Sequence, residues 1–365
     1  MALLYDEAMI IGIPREVKDR ESRVALLPRA VAQLRRRGHR VLVQSRAGVG
    51  AGYSDADYRA AGATMVPSAA RLWGSSELIV KVKEPLPAEH RYFRHGLRLF
   101  CYLHLAAAPR LARALQKSGV QALAFETLER NGATPLLKPM SEIAGRLSVT
   151  IGAHFLQSDR GGRGVLLSPT DFSAPASVVV IGGGNVGRAA AETAAGLGAR
   201  VTVFDSRPEP LRDWARLHSN LVLQGATPVR IAKALSQADL AVGAVYVPGA
   251  RAPRVIRRSM VQGMPPGSVL VDVAVDQGGA SETTRPTSHS RPVYQAHGVW
   301  HYAVPNMPAL VSRTASQALS KVILPYVLQV AEISERRLLT DPELSSAVNL
   351  WEGEIVHPEL KKIYS

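Results

Sequence analysis

The chain has 365 residues, of which 46% are hydrophobic and 20% are charged, an ordinary balance for a globular protein. This length exceeds one usual domain, so we expect two domains of roughly 100 to 200 residues each. No apolar run reaches the roughly 18 to 20 residues that cross a bilayer, and the first ten residues lack the basic start of a secretory signal. We therefore expect a cytoplasmic protein with no membrane partner.

The formal net charge of +14 raises the question of nucleic-acid binding, because clustered basic residues neutralise phosphates. The basic runs are short and far apart, at residues 35–37, 257–258 and 336–337, and 35 of the 44 basic residues are arginine. This is a compositional bias spread over the surface, and we expect no nucleic-acid partner. The single cysteine, Cys101, cannot form an intrachain disulfide. No group of cysteine, histidine and carboxylate side chains has ligand spacing, so we expect no metal.

The first 135 residues or so alternate between strand and helix patterns. Strands are predicted at residues 9–14, 41–44, 78–83 and 99–103, and helices at 28–37 and 108–118. This alternation is typical of a parallel α/β unit. The unit has no glycine-rich phosphate turn.

A long helix is predicted from about residue 139 to 157, with Ser141 at its N-terminal end. After it comes a strand of β-branched residues at 178–181, an alanine-rich helix at 189–197 and a second apolar strand at 201–204. Strand, helix and strand in this order predict a βαβ unit.

The turn between the first of these strands and its helix fits the G-x-G-x-x-G pattern. Gly182 permits the tight turn, Gly184 lets the backbone approach a pyrophosphate, and Gly187 lets the helix pack on the strand. Asp205 ends the second strand, where its carboxylate can accept from the adenosine ribose hydroxyls and repel a 2′-phosphate. The complete pattern predicts NAD as the cofactor. Arg207 leaves NADP as an alternative, because it could face a 2′-phosphate.

A second long amphipathic helix is predicted at residues 312–332 and would return the chain to the first domain. The expected substrate (catalytic) domain is therefore discontinuous and comprises residues 1–138 and 309–365, and the NAD-binding domain comprises 139–308. The fold class is α/β, with two Rossmann-like, doubly wound parallel sheets joined by long helices and a cleft between the domains.

Ligands of doubly wound sheets bind beyond the carboxyl ends of the strands. Arg23, Lys83, His104 and Asp276 lie at or just beyond apolar strand residues. Each alone could be a solvated charge, a core histidine or a turn acid. Together they suit an α-keto or α-amino acid, which needs a cation for its carboxylate and a second donor near its carbonyl. Reductive amination also needs an acid and a base, for which His104 and Asp276 are the right residue types.

Several long motifs point to one family. They include Gly12-Ile-Pro-Arg-Glu, Lys81-Val-Lys-Glu-Pro, Pro139-Met-Ser-Glu-Ile-Ala-Gly-Arg and the segment from Val271 to Gly279. With them the chain resembles the alanine dehydrogenase family over nearly its whole length. The resemblance implies the reversible conversion of L-alanine, water and NAD⁺ to pyruvate, ammonium and NADH, and it implies a homohexamer.

The same resemblance implies roles for individual residues. Arg23 and Lys83 match the family's substrate-binding residues, and His104 and Asp276 match its acid/base pair. The family's cofactor contacts map onto Ser141, Gly182, Gly184, Gly187, Asp205, Val245 and Asn306.

The chain departs from the family pattern at Gly183, where alanine is more usual, and at Tyr246, where leucine is common. Between Asp205 and Gln237 the match is poor, so no adenosine contact is carried over from there.

One alternative function is that of a protein like the alpha subunit of nicotinamide nucleotide transhydrogenase, which usually has glutamate at the Asp276 position and lacks the histidine found here at position 104. The +14 charge and the diverged segment motivate another alternative, a catalytically silent protein of the same fold that binds or senses NAD or binds nucleic acid.

Overall fold

A computed structural model of the chain describes residues 8–246 and 252–364. The chain divides into two compact units, which we call unit 1 (Met1–Met140 and Ala309–Ser365) and unit 2 (Ser141–Pro308). Each unit contains one mainly parallel sheet with helices beside it, so the α/β fold class is confirmed. None of the helices in the described ranges is long and apolar enough to cross a membrane.

Residues 8–137 contain six strands and four α-helices. They are β1 (Ile10–Ile13), α1 (Pro28–Arg36), β2 (Arg40–Gln44), α2 (Asp55–Ala60), β3 (Thr64–Val66), α3 (Ala69–Ser75), β4 (Leu78–Val80), β5 (Arg98–Cys101), α4 (Pro109–Ser118) and β6 (Gln121–Ala124). Strands and α-helices alternate here except where β5 follows β4.

Helix α5 (Lys138–Phe155) contains the division between the units. The remaining elements of unit 2 are β7 (Ser177–Ile181), α6 (Asn185–Gly196), β8 (Arg200–Asp205), α7 (Arg212–Ala215), β9 (Leu221–Gly225), α8 (Pro228–Leu235), β10 (Leu240–Gly243), α9 (Arg258–Gln262), β11 (Val269–Asp272), β12 (Val293–Ala296) and β13 (Val299–Tyr302).

Unit 1 resumes with α10 (Ser312–Glu332), which has the predicted bounds. It is followed by α11 (Glu335–Thr340), α12 (Leu344–Ala347), β14 (Val348–Trp351), β15 (Glu354–Ile355) and α13 (Pro358–Tyr364).

Helix boundaries follow from local sequence. Helix α4 begins with Pro109, whose missing N–H costs nothing at a first helical position, and ends before Gly119, which adopts the left-handed conformation with φ of 67°. Helix α2 begins at a capping box in which Ser54 and Asp57 each accept from the other's backbone N–H.

The parallel parts of the two sheets have the same strand order. In unit 1 the order is β15-β14-β6-β5-β4-β1-β2-β3, and in unit 2 it is β12-β13-β11-β10-β7-β8-β9. Numbered from its own first strand, the parallel part of each sheet reads 3-2-1-4-5-6, the doubly wound order. The order reverses between β1 and β4 in unit 1 and between β7 and β10 in unit 2. Ligands of such sheets bind at these reversal points, beyond the carboxyl ends of the strands.

The sheets are not entirely parallel. Strand β14 pairs antiparallel with β6, β15 pairs antiparallel with β14, and β12 pairs antiparallel with β13. These three antiparallel strands, β12, β14 and β15, were not predicted from the sequence.

Two predicted strands are shorter than expected. The strand predicted at 78–83 ends at Val80, and the one predicted at 99–103 ends at Cys101. The N–H of Val82 donates to Glu16 Oε1 at 2.6 Å, and the N–H of Leu103 donates to the Glu126 carboxylate. These backbone groups therefore bond to side chains, and Lys83 and His104 stand in loops.

Both faces of the unit 2 sheet are buried. Val178 and Val180 of β7 belong to one apolar cluster, and the alternating residues Val179 and Ile181 belong to another. Successive side chains of a strand point to opposite faces, so β7 contributes to two cores. The run of β-branched residues predicted this burial on both sides.

Two glycines of α6 offer a matched pair of substitutions. A Cβ on Gly187 would overlap the carbonyl oxygen of Gly182, whereas a Cβ on Gly196 would meet nothing within 4 Å. We expect Gly187→Ala to destabilise the protein by about 1–3 kcal/mol through overpacking. Gly196→Ala should stabilise it by up to about 1 kcal/mol, because alanine is the better helix former. Thermal unfolding midpoints of the two variants test this pair, and equal midpoints would contradict it.

Candidate active site

Three of the predicted site residues follow the carboxyl ends of strands in unit 1. Arg23 comes after β1, Lys83 after β4 and His104 after β5, around the point where the strand order reverses. Lys83 Nζ lies 3.4 Å from His104 Nε2. The Lys83 side chain is nearly buried, whereas His104 is exposed. An ammonium group and an imidazole thus face one another at the end of the sheet.

The loop that carries Lys83 is held by a buried ion cluster. Lys81, which is 1% exposed, places its Nζ 2.8 Å from Glu89 Oε2 and 3.6 Å from Glu16 Oε2. Burial alone would lower the pKa of the Lys81 ammonium, but the two carboxylates outweigh burial and raise it. Lys81 therefore stays charged, and the cluster fixes the backbone immediately before Lys83.

His104 adopts an uncommon backbone conformation. Its φ of 50° and ψ of 39° lie in the left-handed region, which costs a residue with a side chain about 1–2 kcal/mol. The Glu126 carboxylate offsets this cost by accepting the N–H of His104 at 2.6 Å and that of Leu103 at 3.1 Å. The His104 ring also stacks on Tyr102, with ring centroids 6.0 Å apart and planes 9° apart.

Arg23 is 2% exposed and is held in a fork by Glu21. Its Nε donates to Glu21 Oε1 at 2.8 Å, and one terminal nitrogen donates to Oε2 at 2.6 Å. Burial lowers the pKa of the Arg23 guanidinium, but the hydrogen bond and the negative charge of Glu21 outweigh burial. The pKa is therefore raised overall. Burial also raises the pKa of the Tyr102 phenol, and the nearby positive charge of Arg23 opposes that rise. Tyr102 thus stacks on His104, which faces Lys83, and it lies near enough to Arg23 to be affected by the charge of the guanidinium.

The glycine turn of unit 2 lies at the other reversal point. Gly182 has a φ of 105°, which a residue with a side chain rarely adopts. Gly184 directly precedes α6, and a Cβ placed on it would meet nothing within 4 Å. Asp205, the last residue of β8, accepts the N–H of Gly183 at 2.7 Å and that of Arg207 at 2.8 Å. The carboxylate is thus fixed against the turn.

Gly183 has a local reason to lack a side chain. A Cβ there would overlap the Leu211 side chain and would lie 3.1 Å from Asp205 Oδ2. Leu211 ends a short 3-10 helix (Glu209–Leu211) just before α7. A methyl group at position 183 would therefore fit only if the Leu211 side chain moved.

The remaining predicted residues of unit 2 lie in its other loops. A Cβ on Gly182 would be 3.1 Å from the backbone nitrogen of Val245, so the structure brings these two residues together where the strand order reverses. Asn306 follows β13 with a φ of 65°, and Ser141 lies in α5. Asp276 is exposed in a short 3-10 helix (Val273–Gln277) after β11. Residues 247–251, which follow Tyr246, lie outside the described residues.

Sequence reasoning missed Glu21 and Glu126 as parts of this site. Glu126 follows β6 just as His104 follows β5, so the criterion of a polar residue after a strand could have found it. Glu21 is two residues before Arg23, a spacing that carries no recognisable signal. Within residues 8–246 and 252–364, no group of three or more histidine, cysteine, aspartate and glutamate side chains could hold a metal ion.

Two family profiles match the chain. The profile "Alanine dehydrogenase/PNT, N-terminal domain" matches residues 12–144, and "Alanine dehydrogenase/PNT, C-terminal domain" matches residues 148–358. The chain belongs to the alanine dehydrogenase/PNT family. The second profile extends past Pro308, although the residues from Ala309 onward belong to unit 1.

Individual members of the family match over nearly their full length. A solved structure of an L-alanine dehydrogenase is 49% identical with a TM-score of 0.94, covering 98% of this chain and 99% of that one. The alanine dehydrogenase of Bacillus subtilis is 47% identical over 352 residues, covering 96% of this chain and 93% of that protein. The crystal structure of a transhydrogenase from Sinorhizobium meliloti is 26% identical with a TM-score of 0.82, covering 96% of this chain and 99% of that one.

We expect Glu126→Gln to loosen the backbone at His104. The substitution keeps the shape of the side chain but removes the charge and one acceptor, and hydrogen bonds to charged groups contribute about 1.5–3 kcal/mol each. Amide hydrogen exchange at Leu103 and His104 should accelerate about tenfold or more, since 1.4 kcal/mol corresponds to a factor of ten. Exposed Glu129 provides the control, because Glu129→Gln should leave both amides unchanged. Unchanged exchange in the Glu126 variant would show that this carboxylate does not hold the loop.

Proposed function

We propose that this chain is an NAD-dependent L-alanine dehydrogenase, which interconverts L-alanine, water and NAD⁺ with pyruvate, ammonium and NADH. The observation that carries the proposal is the match to a solved L-alanine dehydrogenase at 49% identity over 98% of this chain. The likeness to the transhydrogenase is weaker, at 26% identity, although it covers nearly the same length. The higher sequence identity to the L-alanine dehydrogenase therefore favours amino-acid oxidation over transhydrogenase activity.

In this proposal unit 1 is the substrate (catalytic) domain. The guanidinium of Arg23, held by Glu21, is suited to the carboxylate of pyruvate or alanine, because its planar donors match carboxylate geometry. Lys83 would donate to the carbonyl or carbinolamine oxygen. Its Nζ is 3.4 Å from His104 Nε2, so one substrate oxygen could contact both groups.

Unit 2 is the proposed NAD-binding domain. The open space at Gly184 leaves room for a pyrophosphate at the N-terminus of α6, where free backbone N–H groups favour an anion. Asp205 would accept from the adenosine ribose and disfavour a 2′-phosphate, and Ser141, Val245 and Asn306 would complete the site. When bound, NAD supplies the hydride acceptor for alanine oxidation and the hydride donor for the reverse reaction.

The proposed proton transfers follow from the chemistry of the substrate. In the reductive direction ammonia adds to the carbonyl carbon of pyruvate, and the carbinolamine then loses water before its carbon accepts a hydride. We assign His104 and Asp276 as the acid/base pair that supplies and removes these protons. Lys83 would stabilise the developing charge on the departing oxygen.

The family resemblance also supports a homohexamer, and we propose a cytoplasmic location for it. Light scattering of the purified protein tests the hexamer, and a monodisperse monomer would contradict it.

The assay that tests the function follows NADH absorbance with pyruvate and ammonium. Rapid oxidation that needs both substrates supports the proposal, and no oxidation despite NADH binding would indicate a catalytically silent NAD-binding protein.

We expect His104→Ala and Asp276→Asn each to lower kcat by about 10²- to 10⁴-fold, which corresponds to roughly 3–5 kcal/mol of transition-state stabilisation. Each variant removes one partner of the proposed acid/base pair. Steady-state kinetics with pyruvate, ammonium and NADH measures the loss. The controls are His95→Ala and Asp159→Asn, which change exposed residues of the same types and should keep wild-type turnover. Wild-type kcat in both site variants would refute the assigned roles.

We expect Asp205→Asn to raise the KM for NADH about tenfold or more and to narrow the preference for NADH over NADPH. The variant loses the charge that would bind the ribose hydroxyls and repel the 2′-phosphate. The ratio of kcat/KM for the two cofactors is the measurement. Asp213→Asn is the control, because the Asp213 side chain is 97% exposed. An unchanged ratio in the Asp205 variant would mean that cofactor choice lies elsewhere.

A further inference from the structure

Asp272 is a buried carboxylate to which the proposed reaction assigns no role. It is the last residue of β11 and is 1% exposed. Its Oδ1 accepts the N–H of Ala274 at 3.1 Å, and its Oδ2 accepts the N–H of Ala280 at 2.8 Å and that of Ser281 at 3.2 Å. The Thr284 hydroxyl donates to the same Oδ2 at 2.5 Å. One side chain thus receives four hydrogen bonds.

These donors lie on both limbs of a single loop. Ala274 is at its start, and Ala280, Ser281 and Thr284 are at its end. Asp276 lies between the two limbs and is exposed. The carboxylate of Asp272 therefore closes the base of the loop from which Asp276 projects.

Two glycines make room for this carboxylate. A Cβ on Gly243, at the end of β10, would be 3.3 Å from Asp272 Oδ1, and a Cβ on Gly279 would be 3.0 Å from Oδ2. Gly279 also has a φ of 83°, which favours glycine. The space around Asp272 is therefore fitted to a carboxylate within hydrogen-bonding distance of the loop backbone.

The returning limb of the loop has a second anchor. His301 Nδ1 is 3.0 Å from the carbonyl oxygen of Val299, which can only accept, so Nδ1 carries the proton. His301 Nε2 therefore accepts from the Thr283 hydroxyl at 2.8 Å. Tyr294 donates its hydroxyl to the Thr283 carbonyl at 2.7 Å. The loop end is thus fixed to β12 and β13.

A carboxylate suits these donors better than an amide of the same shape. Burial raises the pKa of the Asp272 carboxyl, and the hydrogen bonds from Thr284 and the three backbone N–H groups oppose that rise. An asparagine would turn an NH₂ group toward at least one N–H donor, whichever way its amide pointed. A donor would then be left unsatisfied in a buried place, which destabilises the loop conformation.

We propose that Asp272 is a positioning residue of the dehydrogenase reaction, which holds the loop of residues 273–284 so that Asp276 is presented in one fixed position. Asp272 acts through the loop backbone and does not contact the substrate. This inference rests on the proposed function, because it takes Asp276 as a member of the acid/base pair.

The test compares Asp272→Asn, Thr284→Val and Thr284→Ser in the full-length enzyme. We expect Asp272→Asn to lower kcat about tenfold or more and to shift the pH profile of kcat, because the position of Asp276 is no longer fixed. The affinity for NADH, measured by fluorescence titration, should stay near wild type. Thr284→Val should give a smaller loss of the same kind, and Thr284→Ser, which keeps the hydroxyl, should restore turnover.

Asp239→Asn is the matched control in the same sheet. Asp239 precedes β10 and also accepts a backbone N–H, that of Ser177, at 2.8 Å, but it has no hydrogen bond to the loop. Its variant should lose thermal stability while keeping the wild-type kcat and pH profile. A purely structural role for Asp272 would give the same result as this control, and that result would overturn the proposal.

Two further outcomes separate the inference from the function on which it rests. If the wild-type protein shows no turnover, the proposed function fails, and amide exchange at Ala274, Ala280 and Ser281 still tests the loop anchor. Faster exchange in Asp272→Asn supports the anchor, and unchanged exchange overturns it. If Asp272→Asn does not fold, the Thr284 pair decides, and equal kcat values for its valine and serine variants overturn the proposal.

Discussion

Carboxylates fix the loops that follow the parallel strands. Where a strand leaves its sheet, its backbone N–H groups lose their partners and must find new acceptors. In unit 1, Glu16 accepts the N–H of Val82, and Glu126 accepts the N–H groups of Leu103 and His104. In unit 2, Asp205 accepts the N–H groups of Gly183 and Arg207. Asp272 accepts the N–H groups of Ala274, Ala280 and Ser281. Each of these loops carries or adjoins a residue of the proposed site.

This arrangement has an energetic cost and a functional gain. A buried carboxylate loses hydration, and this loss raises the pKa of Asp272 although four hydrogen bonds oppose the rise. In return, a charged acceptor binds N–H groups more strongly than a neutral one and can hold a residue in an unfavourable conformation. His104 is the clearest case, because its backbone has the left-handed conformation and its N–H is bound by the Glu126 carboxylate. The residues proposed for proton transfer are thereby held in place before a substrate binds.

The sequence predicted those parts of the fold that have long or distinctive patterns. The glycine turn, the buried strand β7 and helix α10 were recognised because each depends on local periodicity or on residues with special backbone freedom. The ends of β4 and β5 were placed too late, because Val82, Tyr102 and Leu103 extend the apolar pattern beyond the last strand residues. In the structure Glu16 and Glu126 instead accept the backbone N–H groups of Val82, Leu103 and His104. A hydrogen bond between residues 66 positions apart, such as that of Glu16 with Val82, leaves no trace in local sequence. The site residues themselves remain proposals, supported by their placement after strands and by the family to which the chain belongs.

The central claim is that hydride passes between a nicotinamide and the α-carbon of alanine. In the most direct measurement, the enzyme is incubated with pyruvate, ¹⁵N-ammonium and NADH that carries deuterium on one face of its reactive carbon. A second reaction uses NADH with deuterium on the opposite face, and both products are analysed by mass spectrometry. We expect ¹⁵N-labelled L-alanine with one deuterium at its α-carbon from only one of the two labelled cofactors. NADH oxidation without labelled alanine, or alanine free of deuterium from both cofactors, would contradict it.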